Sequence, residues 1–242
     1  MDDTSPMMPI LMPRADCDLG NVFANDAFQL CDKLKLVLDV VDGVQHLHSV
    51  GIVHRDIKLG NILVMKAGEP GCHAEVADFG FARGVDELCP GNVGTPGYMP
   101  LECLSSEPVK GAAAQDVFAV AVVLLMACLK RELMHPNIFS MPAFWTPLET
   151  QMVQDMLEGM ERGRDLLMER MMFEFKITRR TMVEGTLMEW LSTDKLDPTL
   201  KSPEMVISLL PTFLTNNLEE REDMGSLRSL VSHLVNIHAT NV

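Results

Sequence analysis

The 242-residue sequence predicts a mainly α-helical globular domain carrying a few short strands. Three observations predict it. Leu34, Val37, Leu38, Val41, Val44 and Leu47 recur at helical spacing within residues 26–49. Residues 115–130 are apolar nearly all round, the pattern of a helix buried on every side. Runs with strand character, such as Ile52-Val53 and Ile62-Leu63-Val64, are short.

In order along the chain, residues 9–13 form a strand or an extended linker, and residues 26–49 a helix that Gly51 ends. Ile52-Val53 and Ile62-Leu63-Val64 flank a polar loop, and residues 66–71 make a Gly/Pro turn. Glu75-Val76-Ala77 leads into Asp78-Phe79-Gly80. Residues 83–106 hold many Gly and Pro and no clear period, so an irregular loop is expected. Helices are predicted over 115–130, 181–191, 203–215 and 224–237, with an amphipathic, Met-rich stretch over 148–175.

Apolar residues make up 47% and charged residues 22%, a soluble globular composition and not a disordered one. The net charge of -14 argues against nucleic acid or an anionic membrane as partner. It suits either a basic peptide substrate or simple solubility. The six cysteines form no C-x-x-C pair, so reduced thiols in a cytoplasmic or nuclear protein are expected. Met1-Asp2-Asp3 is acidic where a signal peptide is basic. The longest apolar run, residues 117–129, is too short to span a bilayer.

Chemistry concentrates in a few motifs. His54-Arg55-Asp56-Ile57-Lys58-Leu59-Gly60-Asn61 is followed, 22 residues after Asp56, by Asp78-Phe79-Gly80. Gly94-Thr95-Pro96-Gly97-Tyr98-Met99-Pro100-Leu101-Glu102 ends 24 residues after Asp78, and Asp116-Val117-Phe118 begins 14 residues after Glu102. Leu218-Glu219-Glu220-Arg221 lies near the end. In order and spacing this set resembles the large, C-terminal lobe of eukaryotic-type protein kinases, well over residues 8–130 and loosely over 209–234. Pro100-Leu101 departs from the Ala-Pro usual there. Aminoglycoside-type phosphotransferases are a poorer match, because Arg55, Lys58 and Phe79 fit the protein kinase pattern.

The resemblance implies ATP and Mg²⁺ as cofactors and a protein substrate. Asp56 would orient the substrate hydroxyl and accept its proton, and Lys58 would neutralise charge on the γ-phosphoryl. Asn61 and Asp78 would bind magnesium, and Leu63 would lie beneath the adenine. Thr95 would hydrogen-bond Asp56 and Lys58, Asp116 would cap the amides of the catalytic loop, and Arg221 would pair with Glu102. Lys58 and the Gly94-Thr95 pair imply serine/threonine specificity.

The family's Gly-rich loop and strand lysine have no counterpart in residues 1–17, which resemble the hinge between lobes. The expectation is a large lobe without the small β-rich lobe: hinge remnant 1–17, catalytic core 18–130, divergent helical region 131–208 and closing helices 209–242. Such a chain would be either a kinase, active or silenced by truncation, or a pseudokinase-like scaffold. A protein partner would cover the face where the small lobe sits. No Ser, Thr or Tyr lies between Phe81 and Val93, so Asp86 or Glu87 either replaces a phosphorylated partner of Arg55 or is simply solvated. The methionines of 148–175 are either a repacking partner face or core, and Cys89 is either a redox site or inert.

Overall fold

The computed structural model describes residues 12–89, 93–95, 98–104, 109–110, 113–129, 191, 193–215 and 218–239. Side chains at 89, 101, 104, 109 and 110 are outside that description. The expected helices over 148–175 and 181–190 lie outside the described residues, as do residues 9–11.

Among the described residues four long helices carry the core. α2 (Leu30–Ser49) starts later than the periodicity suggests. The backbone turns over residues 25–28, where Phe28 N–H donates to the Asn25 carbonyl. The helix then begins at Gln29, whose N–H donates to the Asp32 carboxylate three residues on, an acid well placed at a helix N-terminus. Gly51, at φ +77°, ends it as expected. α3 (Ala113–Cys128) is buried at every position from Gln115 onward, matching its all-round apolarity. α4 (Pro203–Leu214) opens with proline, whose missing N–H costs nothing in the first turn. α5 (Met224–Ala239) closes the chain's described part. A short helix, α1 (Leu19–Phe23), precedes them, capped by Asp18, whose Oδ1 accepts from Asn21 N–H at 2.9 Å.

α2 is the central packing element, in contact with α3, α5 and the sheet. The sheet has three antiparallel strands in the order β1 (Cys17–Asp18), β3 (Ile62–Met65), β4 (His73–Val76). Ile62 and Val64 are buried on its inner face, while Leu63 is half-buried on the other. Two further pairs are β2 (Ile52–Val53) with β5 (Arg83–Gly84), and β6 (Leu88–Cys89) with β7 (Val109–Lys110). β5 and β6 lie within the stretch 83–106 that was expected to be an irregular loop. Two-residue strands leave no alternation to read, so only their backbone pairing reveals them.

Arg221 ties the segment after α4 to Glu102 and the start of α3. Its side chain is fully buried, and its guanidinium donates to both Glu102 oxygens at 2.6 and 3.2 Å. It also donates to the Ala114 carbonyl at 3.0 Å and twice to Thr215, at 3.1 and 2.7 Å. The guanidinium carbon lies 5.2 Å from the centre of the Phe118 ring.

Candidate active site

The polar loop between β2 and β3 cannot borrow a regular ladder, so its amides need another acceptor. Asp116, in the first turn of α3 and 1% exposed, supplies it. One carboxylate oxygen accepts from Arg55 N–H and the other from His54 N–H, each at 2.8 Å. His48, near the end of α2, contacts the second oxygen at 2.9 Å. Sequence reasoning anticipated Asp116 but missed His48, which carries no spacing signal of its own.

The loop's second support is the His54 ring. Asp56 N–H donates to its Nδ1 at 3.3 Å, so Nε2 carries the hydrogen and donates to the Ala77 carbonyl at 3.0 Å. The ring also meets Phe79 edge-on, 5.0 Å between centres. One histidine thus ties the loop of Asp56 to the segment of Asp78.

On this frame Asp56, 4% exposed, gathers three of the expected residues. The Thr95 hydroxyl donates to its Oδ1 at 2.6 Å, and Lys58 Nζ to its Oδ2 at 2.8 Å. Lys58 also donates to the Thr95 hydroxyl oxygen at 2.9 Å, closing a triangle. The Asn61 amide nitrogen donates to Asp56 Oδ2 and to the Asp56 carbonyl, both at 2.9 Å. Two oxygen acceptors on that nitrogen fix the amide's orientation and leave Asn61 Oδ1 turned elsewhere. A carboxylate offers about four acceptor positions. Thr95, Lys58 and Asn61 take three, so Asp56 keeps room for one more donor.

Asp78 follows the strand pair that runs on from Asn61. The Ile62–Val76 register continues one residue further, where Ala77 N–H donates to the Asn61 carbonyl at 2.8 Å. That pairs Asn61 with Ala77, the residue before Asp78. Asp78 is exposed and adopts the left-handed conformation at φ +64°, with Oδ1 accepting from Gly80 N–H at 3.3 Å. Leu63, the expected adenine floor, is half-buried on the sheet's outer face.

Asn61 Oδ1 and the Asp78 carboxylate are hard oxygen donors of the kind magnesium takes, and magnesium usually uses one or two protein carboxylates with phosphates and water completing the shell. The residues fit such an ion. Among the described residues no group of three or more His, Cys, Asp or Glu is placed to hold a metal.

Gly94 brings Thr95 in. Its φ is +127°, and a Cβ there would lie 2.9 Å from the Arg55 carbonyl and 3.0 Å from Met99 Cγ. Only glycine allows the loop to approach so closely. Glu87, one of the two candidate acids for Arg55, lies 3.6 Å from Arg83 and accepts from Gly84 N–H at 3.3 Å.

A family model for the protein kinase domain matches residues 4–221. A dual serine/threonine and tyrosine protein kinase of Strongylocentrotus purpuratus is 35% identical over 124 residues, 51% of this chain and 12% of that protein. A probable serine/threonine-protein kinase of Dictyostelium discoideum is 39% identical over 102 residues, 42% of this chain and 7% of that protein. A dual serine/threonine and tyrosine protein kinase of Homo sapiens is 36% identical over 96 residues, 40% of this chain and 10% of that protein. The matched stretches span about a tenth of these relatives.

Proposed function

The chain belongs to the protein kinase family, and from that premise we propose that it transfers the γ-phosphoryl of ATP to serine and threonine hydroxyls of a protein substrate. The observation that carries the reading is the Asp56 carboxylate, fixed by Thr95, Lys58 and Asn61 with one acceptor position to spare. A substrate hydroxyl fills that position. Asp56 orients it for in-line attack and takes its proton as the bond to phosphorus forms. Lys58, held between Asp56 and Thr95, presents its charge to the transferred group. Asn61 Oδ1 and Asp78 hold Mg²⁺, which supplies positive charge at the nucleotide's phosphates. Leu63 lies beneath the adenine.

Serine/threonine specificity rests on Lys58 and Thr95, and the names of the relatives include both serine/threonine and dual specificity. Residues 18–130 act as catalytic core, 209–242 as its closing segment, 131–208 as a divergent region and 1–17 as hinge. Residues 12–129 offer the nucleotide a floor, and the family's Gly-rich loop and strand lysine have no counterpart in residues 1–17. The assembled site takes its roof from a small lobe or a protein partner seated over Phe79 and Phe81, which are 49% and 45% exposed. That same exposed face supports the second reading, a partner-binding scaffold that transfers nothing. Five free cysteines among the described residues support an intracellular setting, cytoplasmic or nuclear. Among the described residues no helix is long and apolar enough to cross a membrane.

The test is transfer of labelled phosphate from ATP with magnesium to a generic protein substrate. Asp56→Asn is expected to cut the rate by about 10²–10⁴. Label recovered on tyrosine removes the specificity assignment. Transfer indifferent to Asp56 removes the mechanism, and no transfer together with a stable partner complex installs the scaffold.

A further inference from the structure

The turn that joins β3 to β4 has a demanding shape. Its backbone goes left-handed three times, at Lys66 (φ +53°), Gly68 (φ +77°) and Gly71 (φ +86°). Glycine takes that conformation freely and lysine does not, so the turn needs support from its surroundings. Two hydrogen bonds inside it supply some, from Glu69 N–H to the Lys66 carbonyl at 2.9 Å and from Cys72 N–H to the Glu69 carbonyl at 3.1 Å. Ala67 N–H donates outward to Asp16 at 2.9 Å. The Gly71 carbonyl is met by a side chain: His73 Nδ1 lies 2.8 Å from it. Nε2 of the same ring lies 3.2 Å from Glu75 Oε1.

A carbonyl and a carboxylate can only accept, so the ring faces an acceptor on each side. Neutral imidazole has one N–H and satisfies one of them. Imidazolium has two and satisfies both. The geometry therefore selects the charged ring, and the charges around it agree. Glu75 comes from β4 itself. Asp39 comes from α2, where its carboxylate accepts from Ala74 N–H at 3.0 Å, one residue along from His73. Asp42, three residues further on α2, is paired with Arg228 of α5. Met65, the partner of His73 across the sheet, brings no charge. The turn brings one cation, Lys66, whose Nζ lies 3.7 Å from where a Cβ on Gly71 would be. The balance favours the proton: the bond to Gly71 first, then that to Glu75, raise the His73 pKa from its ordinary 6.5.

We infer that His73 is a proton-operated clip on the β3–β4 turn: as imidazolium it joins the Gly71 carbonyl to the Glu75 carboxylate, and on losing a proton it releases one of them. The sign follows from linkage. A histidine whose pKa is raised on folding adds stability that is fully present below its ordinary value and is lost as pH rises through the raised one. The clip is therefore closed on the acid side of 6.5 and opens above it. Glu75 is the register partner of Leu63, so the clip opens beside the proposed adenine floor. The device goes beyond the proposed reaction and needs no nucleotide. His73 and Glu75 are 45% and 55% exposed, so each closing is worth little and the turn responds by degrees.

Two measurements on the purified full chain test this. The first follows the imidazole NMR signals from about pH 5 to 9, with His73 identified by the signal that His73→Gln removes. Its midpoint is expected above 6.5, and Glu75→Gln, which removes the charge and keeps an acceptor, is expected to lower it. The second is quench-flow hydrogen exchange read by mass spectrometry. Wild type and His73→Gln are compared at the same pH, so the intrinsic pH dependence of exchange cancels. Glutamine keeps one donor, as neutral histidine does. Below the midpoint the amides of Glu69 and Cys72 are expected to exchange about two- to fivefold more slowly in the wild type, and above it the ratio falls to one. The assignment is overturned by a His73 midpoint at or below 6.5, by a midpoint that Glu75→Gln does not lower, or by an exchange ratio that stays the same across the pH range, the mark of a tie that is only structural.

Discussion

Replacing Arg221 with alanine is the sharpest test of how this fold is held together. The side chain is completely buried and makes five donor contacts, two of them to Glu102. Alanine removes all of them. It strands the Glu102 carboxylate, whose side chain is 23% exposed, and deprives the Ala114 and Thr215 carbonyls of that donor. Breaking one half of a buried ion pair costs about 3–5 kcal/mol, because the remaining charge stays behind unpaired. For a chain of this size each kcal/mol moves the midpoint by about 2–4 °C, so a drop of about 6–20 °C follows. Circular dichroism melts and urea titrations measure it. Lysine at the same position recovers little, since a point charge cannot fork onto two carboxylate oxygens. Adding Glu102→Ala to Arg221→Ala should return part of the loss by removing the orphaned charge. A midpoint within about 2 °C of the wild type for Arg221→Ala would refute the reasoning.

Three further outcomes are expected. Gly94→Ala forces a Cβ into the Arg55 carbonyl and moves Thr95 off Asp56, so turnover falls by about tenfold or more while the melting midpoint shifts by only a few degrees; steady-state kinetics beside a melt tests the contrast. Burial pushes the Asp39 carboxyl up from its ordinary 3.8, though Ala74 N–H donates to it. A carboxyl raised on folding binds its proton more tightly in the native state, so stability declines as pH rises from about 3.8 through the raised value. Urea titrations across that window should show Asp39→Asn flattening the decline. Burial pushes the Cys103 and Cys128 thiols up to about 12, so both should resist alkylation at pH 8 until the chain is unfolded, as intact mass measurement will register.

The site was legible in the sequence to the extent that its geometry is local. Asp56, Lys58 and Asn61 lie within one loop, and five residues suffice to fold the Asn61 amide back onto Asp56. Arg221 and Glu102 are 119 residues apart, and no periodicity could have joined them; only the likeness to a known family did. His48 escaped because its meaning depends on how the end of α2 meets the start of α3, a tertiary fact. Among the helices, α3 was read within two residues of its ends because a segment of that length, apolar on every face, has to be enclosed by the rest of the chain. The helix was expected from residue 26, yet the turn over 25–28 uses that stretch and Gln29 with Asp32 sets the true beginning of α2. α1, five residues long, is below the length at which a period can be recognised.

α3 is buried on every side, and the loop that carries Asp56 hangs by two amides from its first turn. The loop therefore has no independent melting of its own. To slacken it, Asp116 must leave the place where a wholly enclosed helix holds it, and that helix moves only when the interior comes apart. Heat should consequently silence the catalytic group and dissolve the fold in a single event, leaving no temperature at which an intact domain carries a loosened loop.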